Sequence, residues 1–346
     1  MTETLLDHHD AVLLDLDGTV YRGGRLAPGA DEAIAEVRRN GVQARYVTNN
    51  ASKPAQAVAD HLNALGLQAT ADEVSTSAQA GAALLAEQLP AGAKVLVVGS
   101  EALAAEVEQL GLTPVRENAD EPVAVVQGHS PDTGWWNLAE ACLSIRAGAT
   151  WVACNADATL PTERGELPGN GSMVAALRAA TGQEPQVAGK PERPLLDRAV
   201  SSARASRPLM VGDRLDTDIS GAVRSGMSSL MVLTGVSTPA DALFAPVELR
   251  PEHIADDLRG LHLPHAVTAV GDQPGWKVRV EDGVLELSAA SDQAASDQAE
   301  SARVRERALG ALRALCAAWW PVGTGQVAVR PADSASADAL RELGIA

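Results

Sequence analysis

Seven short aliphatic runs recur along the chain, at residues 11–14, 43–47, 94–98, 123–126, 150–153, 208–211 and 229–233, each followed by a loop and a helix-like stretch. Runs of this length read as buried strands, and their alternation with helices predicts an α/β fold built on parallel sheet. Open sheets of this kind gather their ligands outside the carboxyl ends of the strands. Chemistry is therefore sought in the polar residues that close the runs. Asp15 closes the first, Thr48-Asn49-Asn50 the second and Gly212-Asp213 the sixth, while a single Lys190 stands in Gly189-Lys190-Pro191 just after residues 186–188. Four segments thus direct carboxylates, a hydroxyl and an ammonium to one sheet edge.

The first of these landmarks is the densest, because Asp15 and Asp17 stand where the strand breaks into Gly18. A metal can take one carboxylate and one backbone carbonyl from such neighbouring positions, since the chain is already turning there. A solvated Asp-Gly turn explains the same residues. Taken alone, the pair leaves both readings open.

The chain has 346 residues, enough for two or three domains, and its 46% hydrophobic and 21% charged content is that of a globular protein. No apolar run approaches the roughly 20 residues that span a bilayer, and residues 1–10 lack the layout of a signal peptide, so a cytoplasmic protein without a membrane partner is expected. The net charge of −17 argues against nucleic acid as a partner, and one Phe with two Tyr offers no platform for stacking bases. An anionic substrate must then meet a local positive site: Lys190, a helix N-terminus or a metal ion. Cys142, Cys154 and Cys316 are odd in number and lack metal-ligand spacing, so they are read as reduced and without a role.

Residues 75–186 carry their own strand and helix alternation, including the helix-like Trp135–Arg146, and are read as an α/β unit inserted between the second and third landmarks. Residues 1–74 and 187–260 then form the core. Beyond 261 the character changes: strand-like residues 276–280 and 284–287 flank Asp282-Gly283, a hairpin signal, and a duplicated tract at 291–299 leads into a helical run to about Trp320. Residues 261–346 are expected to form a separate small α+β module, and the chain is compatible with a homo-oligomer.

In order, Asp15-Leu16-Asp17-Gly18-Thr19, Thr48-Asn49-Asn50, Gly189-Lys190-Pro191 and the segment from Gly212-Asp213 to Asp218 resemble the four motifs of the haloacid dehalogenase-like (HAD) superfamily phosphatases, over roughly residues 10–240. More narrowly they resemble members with an α/β cap of the C2 type inserted between the second and third motifs, the HAD-IIA or NagD-like group. The resemblance implies a Rossmann-like core, Mg²⁺ as cofactor and a small phosphorylated metabolite as substrate. It implies that Asp15 attacks phosphorus, that Asp17 is the general acid and base, and that Thr48, Asn49 and Lys190 bind the phosphate. Asp15, the backbone carbonyl of Asp17 and Asp213 would hold the metal, with Asp218 orienting metal waters or Lys190. Asp216 matches no fixed family acid and reads as a solvated loop residue.

Residues 154–172 are similar to the segment that carries substrate specificity in phosphatases with this cap, and their Gly, Pro and Asn content reads as a long ordered loop. Asn155 and Asp157 could meet a small hydroxylated leaving group or only hold the loop through Asx turns, and Leu160, with Pro161 and Thr162, could shape a pocket wall. His129 stands where relatives often place an acid or an aromatic residue. Within the family the chain resembles actinobacterial glycerol 3-phosphate phosphatases, whose C-terminal extension is similar to an acetyltransferase (GNAT) fold. Here Val322-Gly323-Thr324-Gly325-Gln326 matches an acyl-coenzyme A phosphate loop poorly, so a non-catalytic module packed on the enzyme or on an oligomer partner is expected. Glycerol 3-phosphate is the substrate this resemblance implies; phosphoglycolate or a nucleotide is the alternative, and a non-catalytic phosphometabolite sensor is the alternative of another class.

Overall fold

A computed structural model describes residues 3–162, 164–290 and 300–345; the duplicated tract at 291–299 lies outside the described residues. The chain divides into two compact units, residues 1–44 with 205–346 and residues 45–204.

In the first unit four parallel strands lie in the order His253–Ala255, Ser228–Val232, Pro208–Gly212 and Ala11–Leu14. Ala11 pairs with Pro208 and Leu14 with Val211. Every residue of Ala11–Leu14 is buried, as are the last four of Pro208–Gly212 and of Ser228–Val232. Strands covered on both faces must be apolar throughout, which is why these runs do not alternate with polar residues. Helix Ala30–Arg39 buries Ala33, Ile34 and Val37 at helical spacing and places acids in its first turn and arginines in its last, matching the helix dipole. Because the strands are parallel and in register, the residues following Leu14, Gly212 and Val232 emerge at one end of the sheet.

The same unit continues into a three-stranded sheet, Trp276–Glu281, Val284–Ala289 and Ala328–Pro331, with helices Glu300–Trp319 and Ser334–Leu343. The first two strands form the expected antiparallel hairpin, and Asp282 (φ 49°) and Gly283 (φ 73°) occupy the two left-handed turn positions that an Asp-Gly pair accommodates. Leu285, Leu309, Leu312 and Leu340 share one buried cluster with Ile219, Met231, Leu243 and Ile254 of the parallel-strand region. Two arginines tie the parts together. Arg313, fully buried, donates from Nε and Nη2 to the Ile254 carbonyl (2.9 and 2.6 Å), and Arg250 donates to the carbonyls of Trp320 and Gly323 (2.8 Å each) with its guanidinium over the Trp320 ring. A rigid five-donor fork suits such buried carbonyls better than a lysine would. The expected α+β module is thus present and shares its core with the parallel strands.

In the second unit the end of Gln43–Thr48 pairs in parallel with Val74–Thr76, Thr48 beside Thr76. A five-stranded parallel sheet runs Gln186–Val187, Thr150–Ala153, Ala124–Gln127, Lys94–Val98 and Thr113–Val115. Helices Trp135–Arg146 and Asn170–Thr181 cover one face, where Leu96, Val98, Val125, Trp151, Val174 and Leu177 are buried together. One expectation is corrected here: within 154–172, Thr159–Thr162 and Gly165–Pro168 pair as an antiparallel hairpin rather than forming a loop. Its Gly and Pro content masked two short strands in which Leu160 pairs with Leu167, and Gly165 (φ 113°) makes the turn.

Candidate active site

At the end of Ala11–Leu14 the Asp15 N–H still donates to the Val211 carbonyl (2.9 Å). The chain then coils back, with the N–H groups of Val20 and Tyr21 on the Leu16 carbonyl (2.9 and 3.0 Å) and that of Gly18 on the Tyr21 carbonyl (2.7 Å). Asp213 follows its own strand directly and is fully buried. Thr19 Oγ1 donates to its Oδ1 (3.0 Å) and the Val236 N–H to its Oδ2 (2.8 Å). A Cβ added at Gly18 would lie 2.5 Å from Asp213 Oδ2, and one at Gly235 only 1.9 Å away. Glycine is required at both positions, since any side chain would displace the carboxylate. Thr234 Oγ1 donates to the Gly18 carbonyl (2.5 Å), pinning the loop to the strand end after Val232.

Asp218 arrives by an irregular path. Leu215–Ile219 is a single π turn, and it sets Asp218 so that Oδ2 accepts the Arg214 N–H (3.1 Å). Carboxylate oxygens of Asp15, Asp213 and Asp218 all lie within 4.8 Å of one another, and Asp213 and Asp218 are fully buried. At an effective dielectric of about 20 each like-charged pair at that range repels by about 3 kcal/mol. Hydrogen-bond donors offset part of this, and a cation held among the three carboxylates would offset more. Three hard oxygen donors with no sulfur or imidazole among them fit Mg²⁺ or Ca²⁺.

The Asp17 residue as a whole faces solvent, yet the protein packed around its carboxyl raises its pKa above the usual carboxylate range, while the Gly23 N–H and Arg22 pull it partly back. Burial, together with the charges of Asp17 and Asp15, pushes the Tyr21 phenol up to about 12. Asp216 is exposed and paired with Arg214 (2.7 Å), solvated as expected, but it lies in the π turn Leu215–Ile219 rather than in a loop.

The second unit assembles a different cluster around Asn49. Its Oδ1 accepts the Lys190 N–H (2.8 Å), and its Nδ2 donates to the Lys190 carbonyl (3.0 Å) and to both carboxylate oxygens of Asp157 (3.2 Å each). Its carbonyl accepts from Asn155 Nδ2 (2.7 Å) and Ser77 Oγ (2.6 Å). Asn155 Oδ1 in turn accepts the Asp157 N–H (3.2 Å), an Asx turn. The structure therefore brings Asn49, Asn155, Asp157 and Lys190 together, with Asn155 and Asp157 bracing Asn49. Lys190 is buried and its Nζ donates to the Val47 carbonyl (3.2 Å), whereas the Thr48 hydroxyl accepts the Asn50 N–H (3.1 Å). Leu160 is half-buried in the hairpin, and His129 half-buried after Gly128.

Sequence reasoning passed over Thr234, Gly235, Tyr21 and Asn170. Asn170, buried, donates to the Asn155 carbonyl (2.7 Å) and so supports the brace from below. Thr234-Gly235 carried a usable signal, since it closes the seventh apolar run just as Asp15 closes the first. Asn170 carried none.

Residues 12–113 match the family described as haloacid dehalogenase-like hydrolase, residues 187–261 its HAD-hydrolase-like companion, and residues 273–345 a GCN5-related N-acetyltransferase-like domain. The chain belongs to the haloacid dehalogenase-like hydrolases. It is 50% identical over 329 residues, 95% of this chain and 91% of the relative, to the D-glycerol 3-phosphate phosphatase of Mycobacterium tuberculosis, and 38% identical over 71% of its length and 91% of the relative to a 5′-nucleotidase of Bacillus subtilis. A crystal structure of a glycerol phosphate phosphatase from M. tuberculosis in complex with magnesium superposes with a TM-score of 0.92 at 47% identity, covering all of both chains.

Proposed function

We propose that this chain is a Mg²⁺-dependent phosphomonoesterase that hydrolyses glycerol 3-phosphate to glycerol and inorganic phosphate. The observation that carries the reading is the convergence of Asp15, Asp213 and Asp218 at strand ends, beside an Asp17 whose pKa is raised. The substrate is the one named for the relative that is half identical over nearly the whole chain.

In the proposed reaction an Asp15 carboxylate oxygen attacks phosphorus and the bond from phosphorus to the glycerol oxygen breaks. Asp17, protonated, gives its proton to the leaving alkoxide. Asp17 then takes a proton from water as the water oxygen attacks the aspartyl-phosphate, which releases phosphate and restores Asp15. A carboxyl with a raised pKa suits both halves, because it holds its proton more firmly than an ordinary carboxylic acid, can give it to the alkoxide and can take one back from water. Asp15, the Asp17 carbonyl and Asp213 would hold Mg²⁺, with Asp218 behind them; bound there, the ion neutralises charge between the nucleophile and the substrate. Thr48, Asn49 and Lys190 are assigned to the phosphate oxygens, and Asn155, Asp157 and Leu160 to the substrate end of the cap.

By this chemistry residues 1–74 and 187–260 are the catalytic core, 75–186 the cap and 261–346 an acetyltransferase-like module without its own catalysis. Among the described residues no helix is long and apolar enough to cross a membrane, and a cytoplasmic setting with a small metabolite as partner is the proposed context. Phosphate release from glycerol 3-phosphate, 2-phosphoglycolate and mononucleotides, measured side by side with Mg²⁺ and with chelator, tests the reading. Full turnover in chelator, or tight binding of these compounds without turnover, would overturn it, and a clear preference for another compound would replace the substrate.

A further inference from the structure

The C-terminal module takes no part in the proposed reaction, yet it grips the catalytic region at one place. Helix Pro239–Leu243 ends there, and the last carbonyls of a helix have no partners inside it. Three successive carbonyls are taken up from outside: that of Leu243 accepts from Trp320 Nε1 (3.2 Å), that of Phe244 from the Gly325 N–H (3.2 Å) and that of Ala245 from Arg250 Nε (3.1 Å). Arg250 places its other two nitrogens on the carbonyls of Trp320 and Gly323, so all three bonds converge on the turn after helix Glu300–Trp319. The loop at 322–326 belongs to that turn, and its groups face the protein. The N–H groups of Val322 and Gly323 donate to the Trp319 carbonyl (3.0 and 2.9 Å), and the Gly325 carbonyl accepts from Trp319 Nε1 (3.2 Å).

The other end of the same helix leads straight to the carboxylate cluster. Val236 N–H donates to Asp213 Oδ2 (2.8 Å) and Ser237 N–H to the Asp213 carbonyl (3.0 Å), while Ser237 Oγ accepts the N–H of Leu215 (3.0 Å), the first residue of the π turn that carries Asp218. Thr238 and Asp241 cap the helix reciprocally, side chain to backbone in both directions (3.2 and 2.8 Å), which stiffens a link of only five residues. Leu215, Ile219, Ala242 and Leu243 share one buried cluster with Leu312 and Leu315 of the long helix. We infer that the C-terminal module sets the geometry of the metal ligand Asp213 and of Asp218 behind it by holding the far end of helix Pro239–Leu243, with Trp320 as the positioning residue. This deepens the metal reading given under Proposed function and rests on it. A small cation that demands near-ideal octahedral geometry is sensitive to displaced carboxylates, and the groups that orient its ligands tune its affinity. Loosening the Leu243 carbonyl should therefore be felt at Asp213.

The test reads Mg²⁺ binding to the full chain by isothermal titration calorimetry, without substrate. Trp320→Phe keeps an aromatic ring in the cluster and removes the donor to Leu243; it should raise the Mg²⁺ dissociation constant about fivefold, with kcat at saturating Mg²⁺ within about twofold of wild type. Trp319→Phe, which loosens the loop carrying Gly325, should raise the constant about threefold by the same route, and it carries the test if Trp320→Phe fails to fold. Trp276→Phe is the matched control. Its indole Nε1 donates to the Arg307 carbonyl (2.9 Å) inside the module, so its removal should lower the urea midpoint and leave Mg²⁺ affinity unchanged. Ser237→Ala cuts the route at its active-site end, and the double variant Trp320→Phe/Ser237→Ala should bind Mg²⁺ no more weakly than Ser237→Ala alone. Mg²⁺ affinity that moves alike in the Trp320 and Trp276 variants, or effects of Trp320→Phe and Ser237→Ala that simply add, overturns the inference. A wild-type chain that binds no Mg²⁺ overturns the metal reading itself, and this inference with it.

Discussion

Two polar clusters in this chain are built from opposite materials. Asp15, Asp213 and Asp218 are like charges forced within 4.8 Å of one another, whereas Asn49, Asn155, Asp157 and Lys190 join donors to acceptors. The first is held by close backbone approach at Gly18 and Gly235 and by the hydroxyl of Thr19; the second is held by amide side chains that grip main-chain atoms. Like charges packed together call for something from outside the chain, and amides do not. The carboxylate cluster should therefore answer to cations, and the amide cluster should not.

The largest break expected is at the nucleophile. Asp15→Asn should lower turnover by at least about 10⁴-fold, while its melting temperature in chelator stays level or rises because one charge of the cluster has gone. Steady-state phosphate release together with calorimetry checks both. Residual activity above a hundredth of wild type would break the assignment.

Mg²⁺ at a hundredfold excess over its dissociation constant should stabilise the wild-type fold by about 2.7 kcal/mol, and Asp213→Asn should lose most of that increment. Denaturant titrations with Mg²⁺ and with chelator give the number. An Asp213→Asn protein that gains as much as wild type would show that the ion binds elsewhere.

Asn49→Ala sharpens the comparison from the other side. It removes bonds to Lys190 and Asp157, with an expected cost of about 1–3 kcal/mol in stability, and it should leave Mg²⁺ affinity by isothermal calorimetry within about twofold. A large drop in metal affinity would mean that the clusters are not independent.

The smallest effect separates acid sensitivity from both clusters. His253 is buried against His265 with Nδ1 3.0 Å from Thr268 Oγ1, and its pKa is pushed down to about 3, first by burial and then by the neighbouring His265 and His9. The folded state thus keeps it neutral, while the unfolded chain takes a proton as pH falls below about 6.5. Its contribution is complete above that pH and is lost progressively down to about pH 3. Between pH 6.5 and pH 5 the loss is on the order of 2 kcal/mol. Urea midpoints at the two pH values for wild type and His253→Gln measure it, and equal slopes in both proteins would assign the acid sensitivity to other groups.

Much of this was legible residue by residue. The runs at 94–98 and 150–153 are strands with those bounds, helix Trp135–Arg146 begins and ends where its pattern does, and Asp282-Gly283 makes the turn it announces. Asp15 and Asp213 declared themselves by standing where apolar runs stop. The hairpin Thr159–Thr162 with Gly165–Pro168 was hidden, because Gly and Pro speak for turns more loudly than four-residue strands speak for pairing. Asn155 and Asp157 left two uses open, and the bonds to Asn49 show how they are engaged.

The sequence by itself determined which segments are buried strands, where the polar residues leave them and which family the motifs follow, because burial, turn chemistry and motif order are local properties of the text. Only the tertiary structure decided that Gly235 and Thr19 close on Asp213, that a π turn returns Asp218 to the strand end, and that Asn170 supports Asn155. Those contacts join residues far apart in the chain, up to about two hundred positions, and they depend on strand register and close packing. No local pattern carries that information.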